Sequence, residues 1–78
     1  MPADPPEWVL THRRAIGRRV RALRTEQRLS QERLAEAAGV SRFSIYRAEN
    51  GTHATSIDHL IQIADALGVP LAGLLSDP

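Results

Sequence analysis

The sequence contains no cysteine and no lysine, and only three of its 78 residues are aromatic. Without cysteine the fold has neither a disulfide bond nor a thiolate metal site, which is typical of a reducing compartment. No hydrophobic run approaches the roughly 18 residues of a membrane span, and the acidic, proline-rich start MPADPPEW is unlike a signal peptide. These absences predict a complete, short, cytoplasmic chain with no membrane contact.

The charge that is present is distributed unevenly along the chain, although the net charge is only +1. All ten basic residues are arginines between Arg13 and Arg47, and three glutamates in that span leave it at +7. The flanking residues 1–12 and 48–78 carry −2 and −4. A basic region of this kind indicates a face that binds a polyanion; helices with solvated charges are the alternative.

Apolar residues recur at helical spacing in five segments, and no segment has the pattern of a strand, so we predict an all-α fold. Helix 1 is predicted over about residues 6–27, with Asp4 as its cap and Pro5 at its first helical position. Gly17 lies inside this helix at a cost of roughly 1 kcal/mol relative to alanine, which predicts a close packing contact there.

The boundaries of the next three helices are marked by local signals. A serine side chain at a helix start accepts a backbone hydrogen bond, and glycine tolerates the left-handed conformation of a helix exit. Serines stand at the three predicted starts and glycines at the three predicted ends: Ser30, Ser41, Ser56, Gly39, Gly51 and Gly68. Pro70 opens a short fifth helix.

Helices 2 and 3 are joined by only about three residues around Gly39, a connection typical of two helices that meet at a steep angle. Ala35 is small where the backbone of helix 3 must approach helix 2. Five apolar residues of the pair are predicted to share one core: Leu34, Ala38, Val40, Ile45 and Ala48. Together these features indicate a helix-turn-helix.

The segment QERLAEAAGVSRFSIYRAENG, residues 31–51, resembles the phage-repressor (Cro/repressor, Xre) type of helix-turn-helix domain. The similarity extends over residues 16–29 and 57–75. It implies a compact five-helix repressor-like DNA-binding domain at residues 15–75, with an N-terminal extension of helix 1 at residues 1–14 and a tail at 76–78. It also implies a transcriptional regulator that binds double-stranded DNA sequence-specifically, works at the nucleoid and forms a homodimer.

By this resemblance helix 3, at about residues 41–49, enters the major groove. Arg42, Phe43 and Arg47 match positions that reach base edges, and Ser44 and Tyr46 match positions that bond a base or the backbone. Arginine bonds bidentately to guanine and phenylalanine packs on the thymine methyl group, which predicts a site with G·C pairs next to a thymine. A half-buried place in the core is the alternative for Phe43.

The resemblance also assigns phosphate contacts to Gln31 and Asn50, and we expect Ser41, at the start of helix 3, to contact the DNA backbone as well. The loop Thr52–Thr55 matches a family segment that lies along DNA, but it has no lysine or arginine, which weakens the contact expected there. Arg24 and Glu49 match a structural ion pair that ties helix 1 to helix 3 and does not contact DNA.

Other chemistries find no support in the residue pattern. His12, His53 and His59 lack metal-ligand spacing, and no glycine-rich phosphate loop is present. Nothing places a serine nucleophile beside a histidine base, and a domain of this size offers little cleft. We therefore expect no enzyme activity, no metal, no cofactor and no small-molecule ligand.

The alternative function is that of a protein-interaction module, or an antitoxin-like partner, with the same fold. The acidic helices 4 and 5 and the leucines Leu71, Leu74 and Leu75 motivate it. The same leucines are one candidate surface for a homodimer, and the extension around Trp8 is the other. For Trp8 the alternative is that it folds back onto the core of its own domain.

Overall fold

The computed structural model describes residues 4–76, which form five helices: α1 (Glu7–Glu26), α2 (Gln31–Ala38), α3 (Arg42–Asn50), α4 (Ile57–Leu67) and α5 (Ala72–Leu75). Residues 4–76 contain no strand, so the predicted all-α architecture with five helices is confirmed. None of these helices is long and apolar enough to cross a membrane. Predictions about residues 1–3 of the extension and 77–78 of the tail lie outside the described residues.

The start of α1 differs from the prediction. Glu7 is the first helical residue, Pro6 is the N-cap, and no side chain caps the helix. The amide of Val9 donates to the Pro6 carbonyl oxygen at 3.0 Å. A residue that precedes proline avoids the α conformation, so Pro6 prevents Pro5 from being the first helical residue. The prediction of Asp4 as cap was therefore wrong.

The predicted serine caps of α2, α3 and α4 are confirmed. The side-chain oxygens of Ser30, Ser41 and Ser56 each accept a hydrogen bond from the amide three residues further on, at 3.0 to 3.1 Å. Each of these helices is followed by a glycine whose φ lies between +66° and +73°, in the left-handed region. The serine caps and the left-handed glycines therefore fix where these three helices begin and end.

The core lies where the five helices face one another. The largest fully buried side chains come from different helices: Val20, Leu34, Ile45, Ile63 and Leu74. α3 packs against both α1 and α2, α2 packs against α4, and α5 lies against α1 and α4. Because burial of one such side chain contributes about 1.5–3 kcal/mol, this shared core decides how the helices are arranged.

Gly17 allows the backbones of α1 and α3 to meet. A Cβ atom at this position would lie 2.5 Å from the carbonyl oxygen of Ala48 and would also collide with the carbonyl of Glu49. Both atoms belong to the backbone of α3, so neither can move without shifting that helix. The close packing contact predicted at Gly17 is confirmed, and it determines how closely α3 sits on α1.

Two polar side chains tie α1 and the turn after it to the C-terminal part of the chain. Arg19 Nε donates to the carbonyl oxygen of Gly73 at 3.0 Å, and Gln27 Nε2 donates to that of Leu67 at 2.8 Å. Leu67 is the last residue of α4, where a carbonyl has no partner within its own helix. These bonds fasten α4 and α5 to the side of the core formed by α1.

The structure decides between the two alternatives for Trp8 and shows which of the C-terminal leucines are exposed. Trp8 is 68% exposed, so the alternative in which it folds back onto the core is wrong. Leu74 is buried and Leu71 packs against the core, whereas Leu75 is 54% exposed. Leu71 and Leu74 face inward and close this end of the core, so the three leucines do not form one exposed surface.

Candidate nucleic-acid interface

α3 has an inward and an outward face, and they carry different kinds of residue. The inward face consists of Ile45, Ala48 and Glu49, all buried against α1 and α2. Its outward face is defined by four exposed side chains, which we call the outward set: Arg42, Phe43, Tyr46 and Arg47. Phe43 is 56% exposed, so the alternative of a half-buried core aromatic does not hold.

The turn before α3 fixes the direction in which this outward set points. Gly39 has φ +72°, and the amide of Val40 donates to the carbonyl oxygen of Ala35 at 3.1 Å. Val40 is half-buried and packs against the core. Ser41 then starts α3 by capping the amide of Ser44, at 3.0 Å. A connection this short restricts the angle at which α2 and α3 can meet.

Arg24 and Glu49 form the ion pair that the resemblance implied. Arg24 Nε and Nη2 donate to the two carboxylate oxygens at 2.6 and 3.0 Å, and Nη1 donates to the carbonyl oxygen of Leu29 at 2.8 Å. The Arg24 and Glu49 side chains are 12% and 2% exposed. The hydrogen bond to Glu49 raises the pKa of Arg24, so its charge is constant. The pair joins α1, α3 and the turn before α2.

Gln31 lies at the start of α2, as predicted, and its side chain also forms a hydrogen bond within the protein. Its Nε2 donates to Glu49 Oε1 at 3.2 Å, so the amide is the third member of the network around Glu49. Gln31 is half-buried, while Ser41 and Asn50 are exposed. The Gln31–Glu49 bond was not predicted from the sequence, because 18 residues separate the partners and only the fold brings them together.

Three members of the outward set contact one another. The guanidinium carbon of Arg47 lies 4.1 Å from the centroid of the Phe43 ring, a cation–π geometry. The ring of Tyr46 meets Phe43 edge to face, with centroids 6.2 Å apart and an interplanar angle of 68°. This cluster was not predicted from the sequence, although the i, i+4 spacing of Phe43 and Arg47 is a signal that could have revealed it.

The loop between α3 and α4 borders the outward set. Thr52 Oγ1 and His53 Nδ1 are 3.0 Å apart and share a hydrogen bond. A recess of about 230 Å³ lies between this loop and the two helices, and Ser44, Arg47 and His59 are among its lining residues. Among the residues the structure describes, no group of three His, Cys, Asp or Glu side chains is arranged to hold a metal ion.

A short helix that presents arginines and aromatic rings, held behind a glycine turn on a second helix, defines a helix-turn-helix protein of the repressor type. The profile of the helix-turn-helix family matches residues 20–74, most of the 78-residue chain. The chain therefore belongs to this family, in its Cro/repressor (Xre) branch.

Relatives and solved structures agree with this assignment. An uncharacterized transcriptional regulator in the ATPase CF(0) region of Rhodospirillum rubrum is 44% identical over 62 residues, which are 80% of this chain and 57% of that protein. The restriction-modification controller protein C.AhdI from Aeromonas hydrophila has a TM-score of 0.75 at 34% identity and covers 78% of this chain and 92% of its own.

A third similar protein was solved with nucleic acid. SinR, a Bacillus subtilis protein, was crystallised in complex with DNA; that structure has a TM-score of 0.71 at 34% identity and covers 78% of this chain and 98% of its own. The chain spans about half the length of the curated relatives it matches.

Proposed function

We propose that this chain is a transcriptional regulator that binds double-stranded DNA sequence-specifically, with α3 in the major groove. The observation that carries the proposal is the outward face of α3, where arginines and aromatic rings are exposed around the buried anchor Ile45. In the major groove, arginine N–H groups can donate to guanine O6 and N7, and aromatic rings can pack on thymine methyl groups. The proposed activity is binding, with no chemical step and no cofactor.

The similar proteins support the same function. SinR was solved on DNA, and the Rhodospirillum rubrum relative is described as a transcriptional regulator. A helix-turn-helix domain places the first half of its second helix against base edges. The proposed base contacts are accordingly Arg42, Phe43 and Arg47, while Ser44 and Tyr46 bond a base or the backbone.

Phosphate contacts are proposed at the two ends of the helix-turn-helix. Gln31 lies in the first turn of α2, where the helix dipole favours an anion. Ser41 is the N-cap of α3 and Asn50 is its last residue, and both are exposed. Because Gln31 is bonded to Glu49, its amide is oriented before DNA arrives. We propose that Arg24 and Glu49 support the site from behind without contacting DNA.

Titration of labelled random-sequence duplex at low and moderate salt tests whether the chain binds DNA. A DNA-binding protein releases counterions, so its affinity must fall steeply as salt rises. Salt-dependent binding agrees with the proposal. No binding even at low salt contradicts it and favours the protein-interaction or antitoxin-like alternative with the same fold.

A pair of arginine variants tests the role of α3. Arg47→Ala is expected to weaken binding to a selected site by about 1–3 kcal/mol and to relax the preference at one base pair. Arg14→Ala is the matched control, because it removes the same charge from α1, where Arg14 already pairs with Glu7 at 3.4 Å. Equal specificity losses in both variants would contradict a reading role for Arg47.

We propose that the DNA-bound form is a homodimer, because a pseudo-palindromic site needs two recognition helices about one helical turn apart. The exposed ring of Trp8, with His12 against it at a centroid distance of 6.4 Å, supports the N-terminal part of α1 as the contact. Light scattering of the wild type and Trp8→Ala tests it. A monomeric variant agrees with this interface, and an unchanged dimer mass excludes it; Leu75→Ala then probes α5.

A further inference from the structure

We propose that Phe43 and Arg47 act as one reading unit that recognises two adjacent base pairs, a guanine and, next to it, a pyrimidine with a methyl group on C5. This inference rests on the DNA-binding function proposed above. It goes further, because it makes Phe43 the residue that positions Arg47 and extends the recognised methyl group to that of 5-methylcytosine.

Phe43 and Arg47 are one helical turn apart on the exposed face of α3. The Arg47 guanidinium lies over the Phe43 ring at 4.1 Å, and Tyr46 holds the same ring from its edge at a centroid distance of 6.2 Å. Stacking engages the face of a guanidinium, whereas its N–H donors point outward in its plane. Arg47 can therefore keep the Phe43 contact while its N–H edge binds a guanine.

The distance between the two side chains is similar to the spacing of bases in DNA. Neighbouring base pairs rise by about 3.4 Å, and the Phe43–Arg47 separation is 4.1 Å. When the guanidinium of Arg47 is coplanar with a guanine, the stacked ring of Phe43 therefore lies near the level of the adjoining base pair. One side chain then reads one base pair, and its neighbour reads the next.

The ring of Phe43 has no hydrogen-bonding group, so it selects an apolar feature. In the major groove, the base edges offer N–H donors, N and O acceptors, and one apolar group, the pyrimidine C5 methyl. Phe43 keeps 56% of its surface exposed despite its two neighbours, which leaves area for such a contact. The methyl belongs to thymine or to 5-methylcytosine, and both place it at the same C5 position.

The stack also explains why the two residues should act together. A free arginine side chain loses rotamer freedom when it binds, and this loss lowers affinity. Phe43 already restricts Arg47 in the free protein, so loss of the ring should reduce guanine recognition by about two- to fivefold, the range of an exposed cation–π contact. Two independent contacts would not show this coupling.

The test starts from a site selected from a random DNA pool. Within the selected sequence, thymine is replaced by uracil beside the guanine, or cytosine by 5-methylcytosine, so that only the methyl group changes. Removing the methyl should weaken wild-type binding about fourfold, and adding it should strengthen binding about fourfold. The first arm detects recognition of thymine and the second detects recognition of 5-methylcytosine.

Protein variants then assign the effect. Phe43→Ala should abolish the response to the methyl and also lower the preference for guanine over 7-deazaguanine, which lacks N7. Arg14→Ala is the control: it removes an exposed arginine from α1, outside the proposed DNA contacts, and the methyl response should persist. A methyl response that survives Phe43→Ala, or a guanine preference unaffected by it, overturns the inference.

A measurement without DNA checks the stack itself. Ring currents should shift the side-chain protons of Arg47 upfield in the NMR spectrum, and Phe43→Leu should remove that shift while the other residues stay folded. No shift in the wild type overturns the positioning role. If the pool yields no preferred site, the proposed function fails; a preferred site that ignores the methyl leaves that function intact and overturns this inference alone.

Discussion

The inward and outward faces of α3 lie on the same nine residues and are held in different ways. On the inward face, Ile45 has no exposed surface and Glu49 is bonded to Arg24 and Gln31. On the outward face, Phe43 is bracketed by Tyr46 and Arg47, its neighbours on the same helix. Substitutions on the inward face should therefore change stability, and substitutions on the outward face should change recognition.

The difference shows how a small domain separates the residues that stabilise its fold from the residues that we propose contact DNA. The inward contacts join residues from several helices, so they decide where α3 lies. The outward cluster forms within one helix, so it can vary without altering the core. Substitutions on exposed positions usually change stability by less than about 0.5 kcal/mol. Four substitutions, ranked by the expected change in the free energy of unfolding, test this separation.

The largest effect is expected for Glu49→Ala. It leaves the guanidinium of Arg24, only 12% exposed, without its carboxylate partner. Loss of one partner of a buried pair costs about 3–5 kcal/mol, which is a large share of the total stability of a domain this size. Urea unfolding measures the change. Exposed Glu36, on α2, supplies the control Glu36→Ala, and similar losses in both variants would contradict the role given to the pair.

The second effect is expected for Gly17→Ala. In an open helix this change stabilises by up to about 1 kcal/mol, but here the new methyl collides with the backbone of α3. We expect destabilisation by about 1–3 kcal/mol. Thermal and urea unfolding give the sign directly. Gly73→Ala is the comparison, because its methyl would lie 3.3 Å from the Cβ atom of Val69, a much smaller overlap than the one at Gly17. A stabilised Gly17→Ala would disprove the close approach.

Ser41 caps α3 and is also a proposed phosphate contact. Its removal should therefore affect both stability and DNA binding. Ser41→Ala loses the cap on the Ser44 amide and should cost about 1 kcal/mol. Ser30→Ala loses the equivalent cap on α2 and should cost about the same. DNA affinity, measured beside stability, separates the two: only Ser41→Ala should also weaken binding if Ser41 contacts phosphate. Parallel affinity losses would leave Ser41 the role of a cap alone.

The smallest effect on stability is expected for Arg47→Ala. Arg47 is exposed and its contact with Phe43 lies on the surface, so the free energy of unfolding should change by less than about 0.5 kcal/mol. Its affinity for a selected site should nevertheless fall as stated above. Unfolding and binding measured on the same preparation decide the point. A destabilisation comparable to that of Glu49→Ala would break the separation of the two faces.

The boundaries of α2, α3 and α4 and the outward direction of Arg42, Phe43, Tyr46 and Arg47 were predictable because they depend on short-range signals. A serine bonds an amide three residues away, and side chains repeat every 3.6 residues along a helix. The start of α1 was mispredicted because two prolines compete there, and the rule for the residue before proline outweighs the capping preference of Asp4.

Contacts between distant residues were harder to predict. The ion pair of Arg24 with Glu49 followed from the family resemblance, but the third member of that network, Gln31, did not. The sequence did not decide whether Trp8 is exposed, because an isolated tryptophan fits a core or an interface equally well. The stack of Arg47 on Phe43 depends on side-chain rotamers, which a residue pattern leaves undetermined.

By itself the sequence determined five helices, the glycine turn between α2 and α3, and the residues of α3 that face outward, because these features arise within a few neighbouring residues. Only the tertiary structure decided how closely α3 lies on α1 at Gly17, how Glu49 joins two other side chains, and which leucine of α5 stays exposed. These features depend on surfaces that meet only when the helices pack around one core, so no local pattern specifies them.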